Sequence, residues 1–451
     1  MLGPDSIVVI VGAGQAGFQC AASLRELGYA GRVVLVGDEA CLPYQRPPLS
    51  KAHLKAEAED HQLHFRPDTF FAERAIELRA PEHVRAIDRA GHRVALASGE
   101  EVGYDHLVLA TGARARRPAW PAMALEGVHV LRTIEDARRI RACLQPGARV
   151  IVVGAGFIGL EVAATARAAG LAVTVIEFAE RPLKRALSAE TGAWLQQAHA
   201  SRGVEFLMRT SVAAIEGERG RAVAVTTTDG RRLGADLVLV GIGVEPNVEL
   251  AAAAGLAVED GIVVDTHLLT ADSAISAIGD CARYPSAHHP GAVRLESVQN
   301  AADQARAVAA RITGQGAAYD KLPWFWSDQG DLRVQMCGLA QEGDDVVLRG
   351  SLEGGRFSVL RYRGERLTAV ETVNQPAEHM MLRKILGAGV ALGREQAADP
   401  AFKLASLVTP AARAAPAPAA AAATSTAPPA VAASTSPGPA PAGTPAKPSA
   451  G

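Results

Sequence analysis

The stretch that decides the fold is IVVIVGAGQAGFQCAASLRELG at residues 7–28. A short apolar run is followed by Gly12, Gly14 and Gly17 and then by an alanine-rich amphipathic segment. This order predicts a buried strand, a tight turn and a helix. The first glycine permits the turn, the second lets a pyrophosphate approach the backbone, and the third lets helix and strand pack closely. The stretch therefore predicts a dinucleotide-binding unit.

A second stretch, RVIVVGAGFIGLEVAATARAAG at residues 149–170, repeats the pattern with glycines at Gly154, Gly156 and Gly159. In each copy a further apolar strand ends in an acid, Asp38 or Glu177, about 20 residues beyond the last glycine. A carboxylate at this place accepts hydrogen bonds from a ribose and repels a 2′-phosphate. Glu177 therefore favours NADH over NADPH as the ligand of the second unit.

Composition excludes several classes of function. The net charge of -2 gives no electrostatic reason to expect a nucleic acid or an anionic membrane as partner. No stretch approaches the roughly 20 apolar residues of a membrane span, and residues 1–14 lack the pattern of a signal peptide. The five cysteines are scattered, without CxxC or zinc spacing. We expect a cytoplasmic protein with reduced thiols, no metal site, and a monomeric or weakly dimeric state.

Several further segments carry a family resemblance. LVLATGARARRP (107–118), LVLVGIGVEPN (237–247) and AISAIGDCA (274–282) resemble segments of flavoproteins that bind two dinucleotides. A closer resemblance, over about residues 5–405, is to the NADH-dependent reductases of [2Fe–2S] ferredoxins in bacterial oxygenase systems, which include putidaredoxin reductase. The segments that carry it are LPYQRPPLSK (42–51), LRTIEDA (131–137), GFIGLEVAATA (156–166), GDCA (279–282), ESVQNAADQA (296–305) and PWFWSDQ (323–329).

The resemblance implies FAD in the first unit and NADH in the second. Besides the first glycines, it implies FAD contacts at Ala16, Asp38, Lys51, Val84, Arg132, Asp280 and Val298. For NADH it implies contacts at Gly156, Ile158, Glu161 and Glu177. It also implies that Lys51 lies beside the flavin N5 region with Glu161 as its ion-pair partner, and these two are the predicted catalytic residues. A helix that begins near Ser297 would direct its N-terminus towards the flavin O2 side.

We therefore expect an α/β protein with two Rossmann-like domains and a C-terminal α+β domain. The FAD-binding domain is predicted at 1–112 and 248–320, with the NADH-binding domain at 113–247 between them. The α+β domain is predicted at 321–408. Residues 409–451 consist almost entirely of Ala, Pro, Ser, Thr and Gly, and this composition predicts a disordered tail.

The predicted function is hydride transfer from NADH to FAD, followed by single-electron transfer to a [2Fe–2S] ferredoxin that supplies an oxygenase. Trp326 is the candidate for the ferredoxin-facing flavin edge, and Arg306 and Lys384 are weaker docking candidates. Alternatives are a rubredoxin or monodehydroascorbate reductase, an NADH oxidase with Cys41 as its redox centre, and a non-catalytic flavoprotein that senses NADH. Cys41 lies in a different local sequence from the redox cysteine of such oxidases, so we interpret it as an incidental thiol.

Overall fold

The structure is a computed structural model, and it describes residues 2–408. The predicted disordered tail at 409–451 lies outside the described residues. The strands, in chain order, are β1 (Ile7–Val11), β2 (Arg32–Val36), β3 (Ile76–Arg79), β4 (Val84–Asp88), β5 (Arg93–Leu96), β6 (Glu101–Gly103), β7 (His106–Leu109), β8 (Ala113–Ala115), β9 (Val128–His129), β10 (Arg149–Val153), β11 (Ala172–Glu177), β12 (Val204–Met208), β13 (Val212–Glu218), β14 (Arg221–Thr227), β15 (Arg232–Gly234), β16 (Leu237–Val240), β17 (Val244–Pro246), β18 (Ile262–Val263), β19 (Ile275–Ala277), β20 (Ala282–Pro285), β21 (Ala292–Val293), β22 (Trp324–Gln329), β23 (Leu332–Gly338), β24 (Asp345–Ser351), β25 (Arg356–Arg363) and β26 (Arg366–Val373).

The α-helices connect and cover these strands. They are α1 (Gln15–Glu26), α2 (Asp60–Leu63), α3 (Thr69–Glu73), α4 (Ile134–Cys143), α5 (Phe157–Ala168), α6 (Ala189–Ser201), α7 (Glu249–Ala253), α8 (Val298–Ile312), α9 (Pro376–Gly387) and α10 (Arg394–Ala398). Short 3₁₀ turns lie at Pro47–Ser50, Pro121–Ala124, Gly279–Cys281 and Leu404–Leu407. Within residues 2–408, no helix combines the length and the apolar character that crossing a membrane requires.

The first sheet is parallel, with strand order β19-β7-β1-β2-β3. Its central strand β1 reads IVVIV, and Val8, Val9 and Ile10 are fully buried because helices cover a parallel sheet on both faces. The edge strand β19 pairs with β7. A strand after residue 248 thus completes a sheet whose other strands precede residue 112. This arrangement agrees with a split first domain, whose exact boundaries stay a prediction.

The second sheet has the same construction, with parallel order β12-β11-β10-β16-β9. There are also two three-stranded antiparallel sheets. The sheet β4-β5-β6 is inserted in the chain between strands β3 and β7 of the first parallel sheet, and β13-β14-β15 is inserted between β12 and β16 of the second. The two glycine loops follow the central strands β1 and β10. Since the sites of open α/β sheets form at the carboxyl ends of such strands, the fold places one dinucleotide site at each sheet.

The C-terminal region is a five-stranded antiparallel sheet, in the order β22-β23-β26-β25-β24, with α9 packed against β26 and β23. It contacts α6 of the preceding region directly. The indole Nε1 of Trp194 donates to the carbonyl oxygen of Leu352 at 2.8 Å. The carboxylate of Glu371 accepts from the backbone N and the Oγ of Ser188, the N-cap of α6, at 2.8 and 2.7 Å. The α+β character predicted after residue 321 is confirmed.

Candidate functional site

The first glycine loop joins β1 to α1, and its geometry explains why three glycines are needed. Gly12 has φ +108°, and a Cβ atom there would lie 2.2 Å from the carbonyl oxygen of Ala110. A Cβ atom on Gly17 would lie 1.8 Å from the carbonyl oxygen of Gly12. Beside Gly14, by contrast, a Cβ atom would meet nothing within 4 Å. This open space next to the free N–H groups of α1 fits a cofactor pyrophosphate.

Ala16 and the segment GDCA, which contains the implied FAD contact Asp280, come together beside this loop. A Cβ atom on Gly279 would lie 3.0 Å from the Cβ of Ala16 and 3.7 Å from that of Ala301 on α8. The segment at Gly279–Cys281 is therefore held between α1 and α8. Helix α8 begins at Val298, as the sequence predicts, and Ser297 caps it by accepting from the backbone N of Asn300 at 3.0 Å.

Arg132 and Asp280 form an ion pair in this region, with Nη2 and Oδ2 2.8 Å apart. The Nε of Arg132 is buried and has no hydrogen-bond partner among residues 2–408. A buried donor without an acceptor is costly, so this atom fits a site that a polar cofactor completes. We conclude that the residues present fit FAD, on the grounds of this unpaired donor and the open space at Gly14.

Sequence reasoning missed a polar network that lies beside the first glycine loop. Tyr44 donates to Glu39 Oε2 at 2.6 Å, and Arg46 donates to Glu39 Oε1 at 2.6 Å and to the carbonyl oxygen of Arg132 at 2.8 Å. All three side chains line a cavity together with the first glycine loop. The sequence signal was the motif LPYQRPP itself, in which a tyrosine and an arginine stand two residues apart. A larger cavity of about 540 Å³ lies between α6 and the C-terminal sheet and touches neither glycine loop.

Asp38 is exposed. It lies one residue later, relative to the end of its strand, than Glu177 does in the second dinucleotide-binding unit. Val11 pairs with Val36, and Val153 pairs with Ile176, so Gly37 rather than Asp38 occupies the place of Glu177. A Cβ atom on Gly37 would lie only 2.6 Å from the Cβ of Ala13. The first copy therefore carries its acid one position later. Val84 is buried at the start of β4, where the backbone N of Glu82 donates to the carbonyl oxygen of Gly37 at 2.7 Å.

Lys51 and Glu161 form the ion pair that the family resemblance implied. Lys51 Nζ lies 2.7 Å from Glu161 Oε2, although the two residues come from different dinucleotide units. The side chain of Glu161 is 4% exposed and that of Lys51 is 23% exposed. Lys51 also donates to the carbonyl oxygen of Pro47 at 3.2 Å, within the proline-rich 3₁₀ turn. A buried carboxylate therefore holds a partly exposed ammonium group at the junction of the two units.

The second glycine loop repeats the geometry of the first. Gly154 has φ +101°, and a Cβ atom there would lie 2.4 Å from the carbonyl oxygen of Gly241. Glu177 is 9% exposed and accepts from the backbone N of Ala155 at 2.7 Å and of Ala179 at 2.9 Å. Since each carboxylate oxygen can accept more than one hydrogen bond, Glu177 can brace the loop and still accept from a ribose.

Exposed apolar side chains surround the second loop, and sequence reasoning missed two of them. Ile158 is 43% exposed at the start of α5, Phe178 is 76% exposed directly after Glu177, and Ile242 is 37% exposed after β16. All three lie at the carboxyl edge of the second sheet. Exposed Arg209, which follows β12, donates its backbone N to the carbonyl oxygen of Ala179, the residue after Phe178, at 3.0 Å. Large exposed apolar groups around a glycine loop are typical of a ligand site.

The remaining candidates lie in varied surroundings. Trp326 is half-buried and stacks on Trp324 with ring centroids 5.4 Å apart, and the guanidinium of Arg383 lies 4.6 Å above the Trp324 ring. Arg306 already pairs with Asp303 at 2.9 Å, which weakens it as a docking cation, and Lys384 is exposed on α9. Among residues 2–408, no group of three or more His, Cys, Asp or Glu side chains is arranged to hold a metal ion.

The fold and the site together define a class, the flavoprotein reductases with two dinucleotide-binding units. Residues 6–305 match the family described as pyridine nucleotide-disulphide oxidoreductase, and residues 324–408 match the domain described as reductase C-terminal. The chain belongs to this family, within its branch of ferredoxin reductases. FAD and NAD(H) are its cofactors. The predicted family, fold class and enzyme class are thereby confirmed, apart from the tail outside the described residues.

Individual relatives resemble the chain over most of its length. Rhodocoxin reductase of Rhodococcus erythropolis is 50% identical over 397 residues, which cover 88% of this chain and 93% of that protein. Putidaredoxin reductase CamA of Pseudomonas putida is 43% identical over 385 residues, 84% of this chain and 91% of that protein. The crystal structure of a covalent putidaredoxin reductase–putidaredoxin complex has a TM-score of 0.88 at 41% identity and covers 91% of this chain and 100% of its own.

Proposed function

We propose that this protein passes a hydride from NADH to FAD and then single electrons to a [2Fe–2S] ferredoxin that supplies an oxygenase. The observation that carries the proposal is the Lys51–Glu161 pair. It joins the proline-rich turn of the FAD unit, which Lys51 follows, to the first turns of helix α5 in the NADH unit. The names of the relatives, including rhodocoxin, putidaredoxin and terpredoxin reductases, support a small iron–sulfur partner. When bound, FAD supplies the conversion of a two-electron donor into one-electron steps.

The role of this chain is to bind and orient. We propose that the N-terminus of α1 and Arg132 hold the FAD phosphates and that Asp280 orients the adjoining ribityl chain. Lys51 would place a positive charge beside the flavin N5 region, and Glu161 would balance that charge and hold its position. The N–H groups at the start of α8 would face the pyrimidine side of the flavin, where negative charge is stabilised by the helix dipole.

NADH is the proposed donor because of Glu177 and its surroundings. Its carboxylate is fixed by two backbone N–H groups, so it cannot turn away from a 2′-phosphate. Of the nearby cations, Arg181 donates to the carbonyl oxygens of Ser188 and Lys184, and Lys184 pairs with Glu180 at 3.0 Å. Arg209 is exposed near Phe178, and the comparison of NADH with NADPH below tests whether it outweighs Glu177. Exposed Phe178 would cover the adenine. The site thus offers a ribose acceptor and an apolar surface.

Anaerobic stopped-flow reduction with NADH and with NADPH tests this proposal. We expect fast flavin reduction by NADH, and we expect Glu177→Gln to reduce the preference for NADH over NADPH by about tenfold, since a charged hydrogen-bond acceptor is lost. Glu205→Gln is the matched control, because Glu205 is an exposed glutamate on the neighbouring strand β12. An unchanged preference in Glu177→Gln, or equal reduction by both nucleotides in the wild type, would contradict the assignment.

The partner is tested by cytochrome c reduction through a panel of [2Fe–2S] ferredoxins and rubredoxins. We expect NADH turnover to rise strongly only when a [2Fe–2S] ferredoxin is present. Fast turnover with rubredoxin alone, or with oxygen alone, would instead support the rubredoxin reductase or oxidase alternatives. A long-lived reduced complex that no acceptor discharges would support the sensor. We place the reaction in the cytoplasm, where NADH is available. The five cysteines are all free thiols, which agrees with a reducing compartment.

A further inference from the structure

We propose that Ser327, a residue of the C-terminal sheet, is a positioning residue for Lys51 that acts through Glu161. The inference rests on the role proposed for Lys51 and adds a third element to the site. The Oγ of Ser327 lies 2.6 Å from Glu161 Oε1, while Lys51 occupies the other oxygen, Oε2, at 2.7 Å. Ser327 and Glu161 are both buried. The carboxylate is therefore held from both sides in the protein interior.

The direction of the hydrogen bonds around Ser327 is fixed by its neighbours. Gln329 Nε2 donates to Ser327 Oγ at 3.2 Å, and Gln329 Oε1 faces His199 Nε2 at 2.7 Å. Burial lowers the pKa of His199, so its ring is neutral, and Nε2 must carry the proton that it donates to the amide oxygen. Since Ser327 Oγ accepts from Gln329, its own proton is free to donate to Glu161.

This series of donors runs in one direction, from His199 through Gln329 and Ser327 to the carboxylate. Hydrogen bonds aligned in this way polarise one another in a low-dielectric interior. Ser50 supplies a further donor to Glu161 Oε2 at 2.5 Å from the proline-rich turn. Glu161 is thus anchored to the proline-rich turn through Oε2 and to the C-terminal sheet through Oε1. Loss of the second anchor would let the carboxylate, and with it the flexible Lys51 side chain, move.

The C-terminal domain therefore contributes a residue to the surroundings of the Lys51–Glu161 pair. The backbone of β22 fixes the position of Ser327 through its antiparallel pairing with β23, in which Ser327 faces Val334. Phe325, two residues earlier, packs against Phe157 at the start of α5 with ring centroids 4.8 Å apart. These contacts hold β22 against the helix that carries Glu161, so the hydroxyl of Ser327 and the carboxylate keep a fixed separation.

The test compares Ser327→Ala, Ser327→Thr, Lys51→Met and the Ser327→Ala/Lys51→Met double variant as FAD-loaded proteins. Two quantities are measured: the rate of flavin reduction by NADH, and the midpoint potential of the bound FAD by equilibration with a reference dye. We expect Ser327→Ala to slow reduction about tenfold, the effect of losing one hydrogen bond to a charged group. It should also shift the potential in the same negative direction as Lys51→Met. Ser327→Thr, which keeps the hydroxyl, should restore both values.

The double variant separates positioning from a merely structural effect. If Ser327 acts through Lys51, Ser327→Ala should change the rate by less than about twofold in the Lys51→Met background. Ser358→Ala is the matched control, because Ser358 is a fully buried serine of the same sheet that donates to a carboxylate, that of Glu378, outside the FAD site. It should lower the unfolding temperature without moving the flavin potential.

The failures of the two proposals can be distinguished. If Lys51→Met lowers the rate but Ser327→Ala does not, or if the two effects multiply in the double variant, the positioning role of Ser327 is wrong and the role of Lys51 stands. If Lys51→Met itself leaves rate and potential unchanged, the role of Lys51 is wrong and the inference falls with it. Flavin content and the unfolding temperature, measured for each variant, show whether the protein compared is folded and loaded.

Discussion

Cys41 is the residue on which the choice between a ferredoxin reductase and a cysteine-dependent oxidase depends. Its side chain is half-buried in the loop before Lys51. Burial, and secondarily the charge of Glu39, raises the pKa of the Cys41 thiol to about 11. A thiolate, not a thiol, reacts with flavins and disulfides. At neutral pH Cys41 is therefore protonated and unsuited to a redox role, which agrees with its interpretation from the sequence as an incidental thiol.

We accordingly expect Cys41→Ser to keep NADH-to-ferredoxin turnover within about twofold of the wild type, because the thiol stays protonated and takes no part in transfer. The visible spectrum at pH 7 should show no thiolate–flavin band before or after alkylation. Cys143→Ser is the matched control, a half-buried cysteine whose pKa is also raised by burial. A large loss of turnover in Cys41→Ser alone would restore the oxidase alternative.

At the scale of elements, the sequence predicted what short-range pattern determines. The strands β1 and β10, the glycine loops and the start of α8 at Val298 follow from apolar runs, glycine spacing and a serine cap, all within a few residues of each other. Residues that are far apart in the sequence but in contact in the structure carried no such signal. Ser327 and Glu161 are 166 positions apart, and nothing in PWFWSDQ distinguishes a serine that contacts a carboxylate from one that faces solvent.

Arg349 shows the same limit in the C-terminal domain. It lies on the edge strand β24 with its side chain 4% exposed and pairs with Glu378 at 2.9 Å. Its guanidinium also donates to five backbone carbonyl oxygens of the segment that follows α9, those of Gln396, Ala397, Asp399, Pro400 and Phe402. This one side chain thus fixes the last described segment to the edge of the sheet.

Arg349→Met should destabilise the C-terminal domain by about 3 kcal/mol, because the half-buried carboxylate of Glu378 loses its cationic partner and keeps only the hydroxyl of Ser358. The five carbonyl oxygens lose their donor at the same time. Urea unfolding followed by tryptophan fluorescence measures this change, since Trp324 and Trp326 lie in the same domain. Arg356→Met, at an exposed arginine of the adjacent strand β25, should change the free energy of unfolding by less than about 0.5 kcal/mol. Equal effects of the two variants would contradict this role for Arg349.

At the scale of the whole molecule, each of the three regions buries a neutral imidazole. Burial lowers the pKa of His106 in the first sheet to about 3 and that of His379 on α9 to about 4, and it also lowers the pKa of His199 on α6. In the unfolded chain the pKa of each of these imidazoles returns to its ordinary value of 6.5. Between pH 6.5 and the folded pKa values, the unfolded state therefore binds more protons than the folded state. Across that window the free energy of unfolding decreases as the pH is lowered.

We expect the free energy of unfolding to decrease as the pH is lowered from 7 to 5, with His106 contributing up to about 1.4 kcal/mol per pH unit. The Nε2 atom of His106 accepts from the guanidinium of Arg311 at 3.2 Å and from Ser276 Oγ at 2.8 Å, so the amide oxygen of His106→Gln keeps polar partners there. Glu371 acts in the opposite direction, because burial raises its pKa and the folded state then holds its proton more tightly. The slope of the wild-type unfolding free energy against pH is thus a balance of several groups, whereas the difference between His106→Gln and the wild type reports one.

Urea unfolding measured at pH 5, 6 and 7 should give a shallower slope of unfolding free energy against pH for His106→Gln. The same replacement at exposed His61 should leave the slope unchanged. A slope equal to that of the wild type in His106→Gln would mean that His106 binds its proton in the folded protein as readily as in the unfolded chain.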